Sequence, residues 1–81
     1  MSTAILTKAI SELIYNKNFV FVDTVLQGTL EIEKSQDNFF YVGKQKFKTT
    51  LEVIIYCGEV VKIRVFDVDT EEETDIYELP K

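Results

Sequence analysis

The chain contains no histidine, which removes the commonest general base, nucleophile activator and transition-metal ligand. Serine and cysteine relays that need an imidazole are excluded, as are ordinary zinc sites. Cysteine occurs once, at Cys57, whereas a secreted domain of this size normally carries paired cysteines. Glycine occurs only at positions 28, 43 and 58, and none of the three opens a phosphate-cradling loop with a lysine or helix start behind it. No run approaches the roughly 20 apolar residues of a bilayer-spanning helix, and the N-terminus lacks the basic start, apolar run and cleavage site of a signal peptide. The expectation is a cytoplasmic, non-enzymatic protein with no membrane contact, no cofactor and no metal.

What is present is ordinary globular composition: 46% hydrophobic and 28% charged residues in a chain of 81. That length corresponds to one domain, 1–81, with one core and a thin margin of stability. Between Ser2 and about Lys17, Leu6, Ala9, Ile10, Leu13 and Ile14 recur at helical spacing, which predicts a helix with one apolar stripe laid on a sheet. Ser2 or Thr3 is suited to cap its start, and Asn16 and Asn18 tolerate the left-handed turn that ends it. Beyond it the pattern changes to period two. Val20, Val22, Leu26, Leu30 and Ile32 share a parity broken near Asp23-Thr24, which predicts two strands joined tightly. Ser35 to Asn38 reads as a polar turn, Asn38 to Val42 as a short aromatic strand, Gly43-Lys44 as a bend, and Asp75 to Leu79 as an edge strand ended by Pro80.

The stretch Phe47 to Val68 alternates on both sides of Cys57-Gly58-Glu59 and reads as one long antiparallel hairpin. A three-residue turn places Ile55 opposite Val61, Val53 opposite Ile63, Leu51 opposite Val65 and Glu52 opposite Arg64. Cys57 is then a turn residue rather than a nucleophile. The second face of this hairpin carries Ile54, Tyr56, Val60, Phe66 and Val68, and Tyr41 with one of Phe39 or Phe40 must also face away from the main core. Such residues either form a second small core or meet another chain, a partner or a second copy in a homodimer.

Charge is concentrated at the C-terminal end. Asp67, Asp69, Glu71, Glu72, Glu73, Asp75 and Glu78 include no cation among them, and without these seven the net charge of −5 becomes +2. One reading is a solvated loop that blunts a sheet edge and pairs with Lys44, Lys46 and Lys48. A second is calcium, since Asp67, Asp69, Glu71, Asp75 and Glu78 fall at positions 1, 3, 5, 9 and 12 of a calcium loop. Glu72, however, stands where the bend needs glycine, Thr74 replaces an apolar position, and a strand precedes the run. A third is competition for a basic groove that normally receives phosphates. Direct nucleic-acid binding is disfavoured by the net negative field.

Leu26-Gln27-Gly28-Thr29-Leu30-Glu31, following a helix, resembles the apolar-x-Gly-x-apolar strand of the Sm-like RNA-binding family. That resemblance implies a helix followed by about five strands in a barrel, homo-oligomeric, binding RNA or a small ligand between subunits. The Tyr-Lys-His segment of the bacterial branch has no counterpart in this histidine-free chain. In overall character the chain is also similar to phage-encoded inhibitors of bacterial defence and transcription proteins.

The expected fold is α+β: one N-terminal helix packed on a strongly twisted antiparallel sheet of five to six strands, with a partly closed barrel as the variant. The expected function is that of a small acidic binding or inhibitor protein that occludes a basic, nucleic-acid-handling surface of a partner protein. Its expected partner-binding residues are Ile54, Tyr56, Val60, Phe66, Asp69, Glu71, Glu72, Glu73 and Asp75; no catalytic or metal-binding residue is assigned. The alternative is the homo-oligomeric Sm-like or barrel module.

Overall fold

A computed structural model describes residues 2–80 as an α+β fold: α1 (Ser2–Ser11), β1 (Asn18–Thr24), β2 (Gly28–Lys34), β3 (Phe40–Val42), β4 (Gln45–Phe47), α2 (Thr50–Cys57), β5 (Val60–Asp67) and β6 (Glu72–Glu78). The six strands form one antiparallel sheet in the order β4-β3-β2-β1-β5-β6. Strands β1 to β4 meander toward one edge, α2 carries the chain back, and β5 enters on the other side of β1. The sheet is open, with β4 and β6 as its edges, so the barrel variant is not formed. Leu26 and Gln27 of the Sm-like segment lie in the β1–β2 turn, and only its Gly28–Glu31 portion is strand.

Both helices pack on one face of the sheet. Leu6, Ala9, Ile10 and Leu13 from the α1 region and Val53 and Cys57 from α2 share one buried cluster with Val20, Val22, Ile32, Phe40, Val42, Val60 and Ile63. The alternation of β1 explains the layering: Val20, Val22 and Thr24 are buried, while Phe19, Phe21 and Asp23 point to the opposite face and remain half-exposed.

The first helix is shorter than its apolar stripe. It ends at Ser11 because Asn18 folds back on the segment that follows, its Oδ1 accepting from Ile14 N at 2.7 Å and its Nδ2 donating to Glu12 O at 3.1 Å. Asn16 takes the left-handed turn at φ 60°, as its side chain allows, and Asn18 itself begins β1. Ile14 is thereby released from the stripe and exposed. Thr3 lies inside the first turn, where its carbonyl accepts from Thr7 Oγ1; the side chain of Ser2 lies outside the described residues.

The largest departure from the sequence-based expectation is α2. The segment expected as the first arm of the long hairpin is a helix, because Thr49 caps it: Thr49 has extended backbone (φ −127°, ψ 157°) and its Oγ1 accepts from Glu52 N at 3.2 Å. Glu52 Oε1 lies 3.2 Å from the same hydroxyl, so Thr49-Thr50-Leu51-Glu52 carries the sequence signature of a capping box. Gly58 then ends the helix at φ 68°, its N–H donating to Ile54 O at 3.3 Å, a conformation only glycine adopts without strain. The expected cross-strand pairs of Ile55, Val53, Leu51 and Glu52 therefore do not exist. The strand β5 pairs instead with β1 and β6, with Ile63 opposite Val22 and Tyr77. Cys57, expected in a turn, faces the core and is 2% exposed. Burial pushes its thiol up to about 11, because an apolar surrounding disfavours the thiolate.

Candidate protein-binding surface

The face of the sheet opposite the helices has no layer over it among the described residues. Cross-strand register places Lys46 opposite Tyr41, Tyr41 opposite Glu33, Phe19 opposite Phe66, and Phe66 opposite Glu73. Phe19 and Glu33 lie one step beyond the paired Val20 and Ile32. A single row thus crosses all six strands, with aromatic rings at its middle and a charge at either end. Phe19 and Phe66 stack with centroids 6.5 Å apart. Deeper on the same face Arg64 donates to Asp23 at 3.1 Å and Glu73 at 3.2 Å, and its guanidinium carbon lies 5.5 Å from the Phe21 ring centroid. Arg64, expected to pair with Glu52, is thus held by residues of the two strands that flank its own, β1 and β6.

The acidic run forms the end of β5, a turn and most of β6. Asp67 Oδ1 accepts from the N–H groups of Asp69 and Thr70, and Glu71 sits at φ 58°; these features shape the turn. Asp69 is 3.7 Å from Lys17, Asp75 3.4 Å from Lys62 and Glu73 3.2 Å from Arg64. Glu71, Glu72 and Glu78 have no ion pair among the described residues and are exposed. The expected pairing with Lys44, Lys46 and Lys48 does not occur: those lysines are in or beside β4, at the opposite edge, where Lys46 meets Asp37 at 3.7 Å. The sheet therefore has one acidic edge and one basic edge. Among the described residues no group of three or more carboxylates converges as a cation would require. The reason is geometric: Asp67 and Glu72 oppose each other across the hairpin, while Glu78 lies six residues further along β6, about 20 Å at strand rise.

The residues expected to bind a partner fall in two places. Phe66, Asp69, Glu71, Glu72, Glu73 and Asp75 belong to the β5–β6 hairpin. Ile54 and Tyr56 lie in the helical layer, half-buried against the core, with the Tyr56 ring 5.0 Å from Phe47. Val60 is buried in the core cluster at 6% exposure, so it has no surface to offer. Phe19 and Phe21, which sequence reasoning did not single out, complete the open face. Their signal was available, because they alternate with Val20 and Val22 on β1. Compared with protein-family models, with curated proteins and with solved structures, the chain finds no match in any of the three.

Proposed function

We propose that the chain is a non-enzymatic binding protein that covers a basic, nucleic-acid-handling surface of a partner protein, in the manner of an inhibitor that a phage or mobile element directs against a bacterial defence or transcription system. The observation that carries this reading is the β5–β6 hairpin, which holds seven carboxylates at one edge of an open sheet and leaves Glu71, Glu72 and Glu78 without cations among the described residues. Carboxylates spaced along a strand offer a row of acceptors to lysine and arginine side chains that otherwise meet phosphates. Phe66, beside Glu73, supplies adjoining apolar area together with Phe19, as contact surfaces generally combine an aromatic centre with a charged rim. Ile54, Tyr56 and Val60 are left to the packing of α2.

The test is capture of a partner from a bacterial lysate followed by a salt titration of the complex. The triple variant Glu71→Gln, Glu72→Gln, Glu73→Gln should weaken the complex and flatten its dependence on ionic strength, because fewer screened charges remain. An unchanged affinity and salt slope would show that the acidic edge takes no part.

A further inference from the structure

At the end of the sheet where β1 begins, the α1–β1 loop and the β2–β3 turn flank a cup of about 510 Å³ whose lining includes Tyr15, Phe19, Glu33, Lys34, Asp37 and Tyr41. That volume lies within the range of pockets that take a discrete chemical group, about 300–1,000 Å³. Glu33 stands between two rings in the row that crosses the open face, Tyr41 on one side and Phe19 on the other. It is half-buried and has neither a hydrogen bond nor an ion pair for its carboxylate among the described residues. Asp37 is differently placed, since its carboxylate already accepts from Ser35 Oγ and Phe39 N and lies near Lys46.

Aromatic rings elsewhere in this chain already hold cations of its own. Lys46 Nζ lies 4.1 Å from the Phe39 centroid, Arg64 lies over Phe21, and Lys34 Nζ lies 5.7 Å from the Phe40 centroid. Among the described residues no cation lies over Tyr15, Phe19 or Tyr41. The cup therefore combines ring faces, which attract a cation electrostatically, with the Glu33 carboxylate, which has no ion pair among the described residues; Lys34 shares the lining, but its Nζ lies over the Phe40 ring. We infer that this cup receives one arginine side chain of a basic segment of the partner, the guanidinium stacked on the rings of Tyr41 and Phe19 and paired with Glu33. Arginine is preferred to lysine because a planar guanidinium stacks on a ring while its N–H fork meets a carboxylate, whereas an ammonium is a compact and strongly hydrated point charge.

This inference rests on the proposal above that the partner surface is basic, and the two can fail separately. Hexa-arginine and hexa-lysine peptides are titrated into the full chain at fixed ionic strength, with backbone and aromatic NMR signals read by residue. Hexa-arginine should shift Tyr15, Phe19, Glu33 and Tyr41 and bind more tightly than hexa-lysine. Glu33→Gln, checked for an unchanged melting temperature, should weaken hexa-arginine roughly fivefold or more and abolish the preference between the peptides. Tyr41→Leu should act in the same direction. The triple Glu71, Glu72, Glu73 variant should lower both affinities and leave the preference intact. Shifts confined to the β5–β6 hairpin, or equal binding of the two peptides with no effect of Glu33→Gln, overturn the arginine cup and leave the acidic edge standing. Loss through Glu33→Gln with no effect of the triple variant supports the cup and removes the acidic edge. No binding of either peptide overturns both.

Discussion

Thr50–Cys57 and Val60–Asp67 are separated by two residues, are similarly apolar, and take opposite conformations. In α2 the apolar residues occupy successive positions, Val53, Ile54, Ile55, Tyr56 and Cys57, so that one face buries Val53 and Cys57 while Leu51 and Ile55, also four apart, are 65% and 70% exposed. In β5 charges interrupt the run at Lys62 and Arg64, and Val60 and Ile63 are both buried because the register with β1 shifts between them. Apolar content does not separate the two; their ends do. The helix has a hydroxyl that satisfies an otherwise unpaired N–H at its start and a glycine that leaves helical geometry at its end. The strand has neither, and its backbone groups find partners on β1 and β6 instead.

The sharpest way to break this comparison is to truncate isoleucines that the hairpin arrangement would have buried together. Ile63→Ala removes a fully buried side chain of β5 and should cost about 2–5 kcal/mol in denaturant unfolding. Ile55→Ala removes an exposed one and should change stability by no more than about 0.5 kcal/mol. Equal large losses at both positions would mean that Thr50–Cys57 packs as a strand.

A smaller effect is expected at the cap. Thr49→Ala deletes the acceptor for Glu52 N and should cost about 1 kcal/mol, whereas Thr49→Ser should restore most of it. A residue at the start of an exposed strand would show no such rescue.

The Cys57 thiol sharpens the contrast further. Because burial raises its folded value to about 11 from an ordinary 9.0, its contribution to stability is fully present below pH 9 and is lost as the pH rises toward 11. At pH 8 it should react with a thiol reagent far more slowly in the native protein than in denaturant, whereas a cysteine in an exposed turn would react at similar rates in both. Neutral-pH stability should be insensitive to this titration.

Much of the layering was legible in the residues themselves. The stripe Leu6, Ala9, Ile10 and Leu13 marked a helix against a sheet, the parity of Val20, Val22 and Ile32 marked buried strand faces, and the polar run Ser35–Asn38 marked a turn that Asp37 closes through Phe39 N. The second helix was also signalled, by Thr49 and Glu52, but a period-two pattern can be found in any dense apolar run, and the capping signal was outweighed by it. The exposed position of Ile14 was hidden for another reason: the helix stops because Asn18, four residues later, competes for its backbone.

The candidate surface was legible only in part. The acidic run and Phe66 are visible as residue types, and Tyr41 had to face away from Phe40 and Val42. That Phe19, Glu33, Tyr41 and Phe66 lie in one row depends on the strand order β3-β2-β1-β5, which brings together residues up to 47 positions apart in the chain.

By itself the sequence determined the local preferences of each segment, the absence of imidazole chemistry and the excess of negative charge from Asp67 onward. Only the tertiary structure decided that α2 returns the chain so that β5 pairs beside β1, that Lys17, Lys62 and Arg64 rather than the lysines of β4 meet the acids, and that an aromatic face stays uncovered among the described residues. The physical reason is range. Periodicity, capping and charge act over a few residues, whereas which strands become neighbours is settled by how the whole apolar set is buried at once.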